Sequence, residues 1–338
     1  MTGRVVRWGV VGPGRIAENV VRDFEFVEHA AVTAVASRSG ARAQSFADRH
    51  AIPRAYGSYR ELIEADDVDV LYIATPHPQH HAIGLAALQA GKAILVEKAF
   101  TATLAGAEQL IAEARRRQIF AMEAMWTRFQ PVIAQTRNLI AEGAIGTVRS
   151  VQADLGVVRE FDPSDRSFAH ELGGGALLDL GVYVVSFAQM ILGEPESVAV
   201  QGSLEPSGVD AEASLLLGFT GGTSATLLCS LHSPMPGQAR IFGSSGWIDV
   251  LPRFHHPRSI VLHRNGAEPE HLTREPTGAG YAHELAEVTE SILDGRTEST
   301  VMPLSDTLTV QRVLDQALDA LGVHFTEDSA ALEQPAAG

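Results

Sequence analysis

The 338 residues are 45% hydrophobic and 20% charged, the composition of a globular protein long enough for two cores. A net charge of -15 excludes nucleic acid and anionic membrane as partners, because both would repel the chain. Cys229 is the single cysteine, which excludes an intrachain disulfide and a thiolate-rich metal site.

The chain opens on an apolar run, residues 5–11, interrupted by Arg7 and ending at Gly12-Pro13-Gly14. That pattern predicts a first β-strand, not a secretion signal, and no run reaches the roughly 20 apolar residues of a membrane span. The expectation is a cytoplasmic protein. Residues 31–37, 70–75 and 93–97 are likewise nearly continuous in apolar residues, as a parallel strand covered on both faces must be. Helical patterns fill the gaps at 15–24, 41–50, 59–65 and 79–90, the last closed by Gly91. A further helix at 103–118 and strand at 120–124 extend the series. Strand and helix in alternation predict an α/β doubly wound parallel sheet of the Rossmann type.

The second half reads differently. After a helix over 131–142, strands are predicted at 148–157, 197–204, 211–219, 222–231, 238–242, 246–251 and 259–263. Gly221-Gly222 joins two of them as a hairpin. Cys229 falls inside such a strand and is expected to be buried and inert. Helices at 175–192, 281–293 and 305–321 complete an α+β domain with a large, mainly antiparallel open sheet. The boundary is placed at Met125: residues 1–124 form the NAD(P)-binding Rossmann domain and 125–325 the substrate-binding and oligomerisation domain. The polar, Ala/Pro-rich tail over 326–338 is expected to fray.

Gly12-Pro13-Gly14-Arg15-Ile16-Ala17 matches G-x-G-x-x-A between a strand and a helix. Gly12 makes the turn and Gly14 admits a pyrophosphate. Arg15 and Ile16 open the helix whose N-terminus holds the anion, and Ala17 keeps that helix against the sheet. An acidic residue ending the second strand would favour NAD. Here Ser37-Arg38 stands instead, a hydroxyl and a guanidinium suited to a 2′-phosphate, so the predicted cofactor is NADP, with NAD the other candidate.

Glu97-Lys98 ends the fourth strand, on the sheet edge where ligands of such folds bind. A lysine there can orient a substrate hydroxyl and depress a neighbouring acid. Gly173-Gly174-Gly175 opens a helix carrying Asp179 and Tyr183, which are four residues apart and share a face. The glycines are read as permitting close approach to a ligand. His77, His80 and His81 raise the question of zinc. The helix turns His80 and His81 to different faces and no further ligand accompanies them, so no metal is expected. His255-His256, beside Pro257, read as a loop.

Glu97-Lys98 followed by G-G-G-x-x-x-D-x-G-x-Y resembles the glucose–fructose oxidoreductase, inositol dehydrogenase and MocA (Gfo/Idh/MocA) family. Glu123-Ala124-Met125-Trp126-Thr127-Arg128-Phe129 and Tyr183 are similar to its dimeric dihydrodiol dehydrogenase and NADP-dependent D-xylose dehydrogenase branch. The resemblance implies an oxidoreductase moving a hydride between the nicotinamide and a secondary hydroxyl of a sugar, polyol or vicinal diol. Tyr183 would be the acid/base, its ordinary pKa of about 10 depressed by Lys98, which also orients the hydroxyl; Asp179 would position substrate. Thr75-Pro76-His77 resembles the loop beneath the nicotinamide, and Glu97, Trp126, Arg128 and Arg149 resemble residues near cofactor or substrate. Ala99 stands where most of the family has proline after the lysine. The alternatives are a ketoreductase of a nucleotide-linked deoxysugar and a catalytically silent NAD(P)-binding sensor. Retention of both Lys98 and Tyr183 speaks against the sensor. Helices on one face of the second sheet leave the other seeking a partner, which predicts a homodimer or homotetramer through that sheet.

Overall fold

The computed structural model describes residues 3–333, which divide into two compact units. The first comprises residues 3–124, 277–307 and 326–333, and the second residues 125–276 and 308–325.

In the first unit, β1 (Val6–Val11), β2 (Ala30–Ala36), β3 (Arg54–Tyr56), β4 (Val70–Ile73), β5 (Ala93–Glu97) and β6 (Ala121–Ala124) form one sheet in the order β3-β2-β1-β4-β5-β6. Every pairing is parallel, which is the arrangement of a dinucleotide-binding fold. All of β4, β5 and β6 is buried, as the unbroken apolar runs required. The crossovers are α1 (Arg15–Asp23), α2 (Gly40–His50), α3 (Tyr59–Glu64), α4 (His77–Gln89) and α5 (Leu104–Arg117). Gly84 lets α4 lie against α5: a Cβ there would meet the Leu110 side chain at 3.0 Å.

Two segments belong to this unit although the sequence reading placed them elsewhere. Helix α8 (Ala282–Leu293) packs on β1, and its N-terminal amides converge on the buried Asp23 at the end of α1. Asp23 accepts from the backbone N–H of Ala279 (2.8 Å), Tyr281 (2.8 Å) and Ala282 (3.1 Å), an anion on a helix N-terminus. Residues 326–333 are also not frayed. Glu327 accepts from the Thr103 amide and hydroxyl at 2.9 and 2.7 Å, and Asp328 accepts from Gln79 at 3.1 Å. Burial pushes the Glu327 carboxyl up to about 7.

The second unit holds α6 (Pro131–Ala141), β7 (Val148–Gly156), α7 (Val182–Leu192), β8 (Ser197–Leu204), β9 (Asp210–Phe219), β10 (Thr223–Ser230), β11 (Ala239–Gly243), β12 (Gly246–Val250), β13 (Ser259–Arg264) and β14 (Glu270–Thr273). These eight strands run β14-β13-β12-β11-β7-β10-β9-β8, antiparallel throughout except for β7 beside β10. The β9–β10 hairpin turns through Gly221 and Gly222, at φ 76° and 75°. Helix α7 covers β7 and β10. The segment His170–Leu192 is long and apolar enough to cross a membrane, contrary to the sequence reading, but 78% of its most apolar window is buried inside the protein. It is a core helix. Helix α9 (Leu304–Leu321) begins in the first unit and continues into the second.

Glu284 of α8 is 1% exposed, and burial together with the charges of Glu97 and Asp23 raises its carboxyl well above the ordinary range. The folded protein therefore keeps a proton that the unfolded chain releases, so this residue lowers stability progressively as pH rises past the ordinary carboxylate range. Glu284→Gln should gain thermal stability relative to the parent as pH rises through and above the ordinary carboxylate range. Melting curves that stay parallel across that range would show that Glu284 does not titrate in this way.

Candidate active site

In the first unit the loop after β1 is built for an anion. Gly12 has φ 89°, and a Cβ there would meet Ala74 O at 3.0 Å, so the position requires glycine. A Cβ on Gly14 would meet nothing within 4 Å, and no side chain caps the N-terminus of α1, where Arg15 and Ile16 lie. Ala17 is fully buried beneath them. A buried hydroxyl without a hydrogen-bond partner, Thr75 Oγ1, adds an unmatched polar group at the next strand end. Open space, uncapped amides and this hydroxyl fit a dinucleotide.

At the end of β2, Ser37 is buried and its hydroxyl accepts from the Ser39 amide at 3.2 Å. The Arg38 and Arg42 guanidiniums both lie close enough to the Tyr59 phenol for their charges to act on it. Burial raises the phenol while both cations oppose the rise. The first turn of α2 carries no acid. Two guanidiniums and no carboxylate meet at this strand end; the sequence reading had named only one.

Lys98 follows β5, and the segment after it is held from three sides. His77 Nε2 lies 3.2 Å from the Lys98 carbonyl, His80 Nδ1 3.0 Å from the Ala99 carbonyl, and the Phe100 amide donates to Glu123 Oε1 at 3.2 Å. His80 Nε2 lies 2.7 Å from the Thr75 carbonyl, so one ring joins the loop after β4 to the loop after β5. Glu97 accepts from the Tyr72 hydroxyl at 2.5 Å and from the Lys98 amide at 3.3 Å. Burial and the Glu97 charge push the Tyr72 phenol well up, so it remains the donor. The Lys98–Ala99 peptide bond is cis. His80 and Glu123 are the residues that sequence reasoning missed in this role. The close spacing of His77 and His80 was the available signal, and it was weighed only for metal.

In the second unit, Asp179 lies in a π-helical turn, Leu177–Gly181, that leads directly into α7. The Val182 amide donates to the Leu177 carbonyl five residues back, a widened turn of the kind found at functional sites. Asp179 is 8% exposed and Tyr183 half-buried. Arg166, on the loop before the turn, pairs with Asp179 at 3.1 Å. The Tyr183 ring lies 5.2 Å from that of His255, and Trp126 lies 5.0 Å from His256. Those histidines are in a loop as expected, but the loop packs against the tyrosine. The glycines before the turn do not serve ligand approach. A Cβ at Gly174 would strike the Ser167 carbonyl at 2.8 Å, and one at Gly175 the Asp210 carboxylate, so the protein itself fills that space.

Arg128 is 2% exposed and directs its guanidinium to the Ser186 hydroxyl and carbonyl, at 3.2 and 3.3 Å, and to Gln189. It ties the Trp126–Phe129 turn to α7. Arg149 is exposed at the start of β7. The Asp179 turn packs near Cys229, which pairs with Leu155, six residues further along β7 and roughly 20 Å away at strand rise. The structure does not bring Arg149 to the other site residues, because β7 carries it to the opposite edge.

A glycine loop on a 3-2-1-4-5-6 parallel sheet, followed by a lysine at the strand edge and an Asp/Tyr turn on a second, mostly antiparallel unit, defines a Rossmann-fold oxidoreductase. Residues 6–124 match the oxidoreductase family with an NAD-binding Rossmann fold, and residues 133–249 match the GFO/IDH/MocA C-terminal domain. The chain belongs to the GFO/IDH/MocA oxidoreductase family and is a dehydrogenase or reductase with an NAD(P)-binding domain. It is 39% identical to the trans-1,2-dihydrobenzene-1,2-diol dehydrogenase of Xenopus tropicalis, over 94% of this chain and 99% of that one. The Homo sapiens enzyme of the same name is 36% identical over 96% and 99%. Among solved structures, aldose-aldose oxidoreductase from Caulobacter crescentus, complexed with glycerol, superposes with a TM-score of 0.86 at 25% identity, covering 94% and 98%. KijD10, a 3-ketoreductase from Actinomadura kijaniata complexed with NADP and TDP-benzene, gives 0.83 at 28%, again covering 94% and 98%.

Proposed function

We propose that this protein is an NADP-dependent dehydrogenase that oxidises a secondary hydroxyl of a vicinal diol or sugar. The observation that carries this reading is the clamped Lys98 segment, a lysine held at a ligand-facing strand edge, in a chain whose diol dehydrogenase relatives match it over nearly full length. The Arg38 and Arg42 pair at the end of β2 supports NADP over NAD. Gly12, Gly14, Arg15 and Ile16 would hold the pyrophosphate and Ser37 and Arg38 the 2′-phosphate. Thr75, Pro76, His77 and Glu97 would line the nicotinamide end, with Trp126 beside it. When bound, the dinucleotide supplies the hydride acceptor. Lys98 donates a hydrogen bond to the reacting hydroxyl oxygen, Tyr183 Oη takes its proton, and Asp179, held by Arg166, accepts from a second substrate hydroxyl. The ketoreductase reading has the KijD10 likeness behind it, at 28% identity against 35–39% for diol dehydrogenases, and stands second.

The quaternary proposal concerns the outer face of the second sheet. Leu216 and Leu228, on the neighbouring strands β9 and β10, are 51% and 43% exposed there, and beyond β7 and β11 Trp247 of β12 stacks on His263 of β13 at 4.3 Å. Exposed leucines on a face that also carries ordered aromatic pairs suit a second copy of the same chain, giving a dimer.

Tyr183→Phe should leave NADP binding intact and lower turnover on a diol or pentose by about 10²–10⁴, read from absorbance of the reduced nicotinamide. Lys98→Met should be comparably damaging, and the double variant little worse than the worse single. Retention of more than a tenth of turnover in Tyr183→Phe would remove it as the base. Arg38→Ala should weaken NADP by roughly ten- to a hundredfold and leave NAD little changed; equal effects on both would place Arg38 outside the phosphate site. Leu216→Glu with Leu228→Glu should convert a dimer to a monomer in sedimentation equilibrium, and a parent that sediments as a single chain would refute the interface.

A further inference from the structure

We infer that Asp210 is a positioning residue for the candidate site, fixing the turn that presents Asp179 and Tyr183. It opens β9 and is fully buried. Its Oδ2 accepts from the Leu177 amide at 2.6 Å, at the start of the turn. Oδ1 lies in the space that a Cβ at Gly175 would take, and Gly175 has φ 108°, which L side chains rarely adopt. The glycine triplet, the carboxylate and the first amide of the turn thus form one packed unit. Cys229 completes the floor: its Sγ lies where a Cβ on Gly181 would meet it at 3.3 Å.

An anion belongs at a helix N-terminus, where unpaired amides and the helix dipole favour it. The dipole alone does not require a carboxylate this deep. Burial pushes Asp210 up to about 6, so folding would be served as well by a neutral amide, which costs less to bury than a charged carboxylate. What the carboxylate adds is direction. The Leu177 amide drawn onto this charged group, with Gly175 packed against the same carboxylate, sets the rotation of the π-helical turn, which carries Asp179 and runs directly into the helix that carries Tyr183. An error of about 1 Å in a positioned acid/base costs on the order of a hundredfold in rate.

The inference rests on Tyr183 being the acid/base, and the experiment separates the two. Asp210→Asn is expected to fold with a melting temperature close to the parent's, to keep the KM for NADP, and to lose about tenfold or more in kcat. In a Tyr183→Phe background the same substitution should change the residual rate less than about twofold, because Asp210 acts through the tyrosine. Parental kcat in the folded Asp210→Asn variant, or an equal loss in both backgrounds, would overturn the role. Should Asp210→Asn not fold, Asp210→Ser, which is smaller and keeps an acceptor, is read the same way. If Tyr183→Phe alone proves active, the acid/base reading falls, and Asp210 is judged by hydrogen exchange. Positioning requires the amides of residues 176–183 to exchange at least about tenfold faster in Asp210→Asn, and unchanged protection there would refute it.

Discussion

A parallel strand that ends inside a protein leaves its last carbonyl and the amides of the next turn without ladder partners, and no water is at hand to replace them. The segment after β5 meets this constraint with side chains from a neighbouring crossover helix and the adjacent strand. His77 and His80, from the first turn of α4, sit on the carbonyls of Lys98 and Ala99, and Glu123, from β6, takes the Phe100 amide. Because the partners come from α4 and β6, and His80 also reaches the Thr75 carbonyl after β4, the backbone at Lys98 keeps its place only while β4, α4 and β6 keep theirs.

Both units use a helix N-terminus rich in glycine, and they use it in opposite ways. At α1 the amides are uncapped and the space over Gly14 is open, so the anion must come from outside. At the turn before α7 the space over Gly175 is filled and the anion is Asp210, supplied by the chain. The first end is a receptor and the second a mounting. Glycine clusters look alike in sequence in the two cases; what distinguishes them is whether a carboxylate from a distant strand arrives, and that is decided by tertiary structure.

That contrast also explains how far the residues alone could be read. The period of the apolar runs was enough for α1 to α5 and for most strands, because burial on both faces leaves a strong signal. Strands β3 and β14 were missed: three and four residues, largely exposed, carry almost no pattern. Lys98, Asp179 and Tyr183 stand out in the sequence as candidates through their motif. His80, Glu123 and Asp210 do not, since each works by meeting backbone groups far away in sequence, 19 residues from Ala99, 23 from Phe100 and 33 from Leu177. Arg149 was misplaced for the complementary reason, as a basic residue on a strand says nothing of which end of the sheet it occupies.

The anchoring of α8 by Asp23 has a consequence for the order in which the protein is made. During synthesis the residues through β6 emerge as a contiguous stretch that resembles a finished domain, yet β1 still lacks the helix that covers it and Asp23 the amides that surround it. Both arrive some 150 residues later, after the second sheet has been made. Domains tend to fold as they leave the ribosome. Here the first to appear cannot be the first completed, and the nascent cofactor domain must wait, with a buried-type carboxylate still in water, for a helix made after the second sheet.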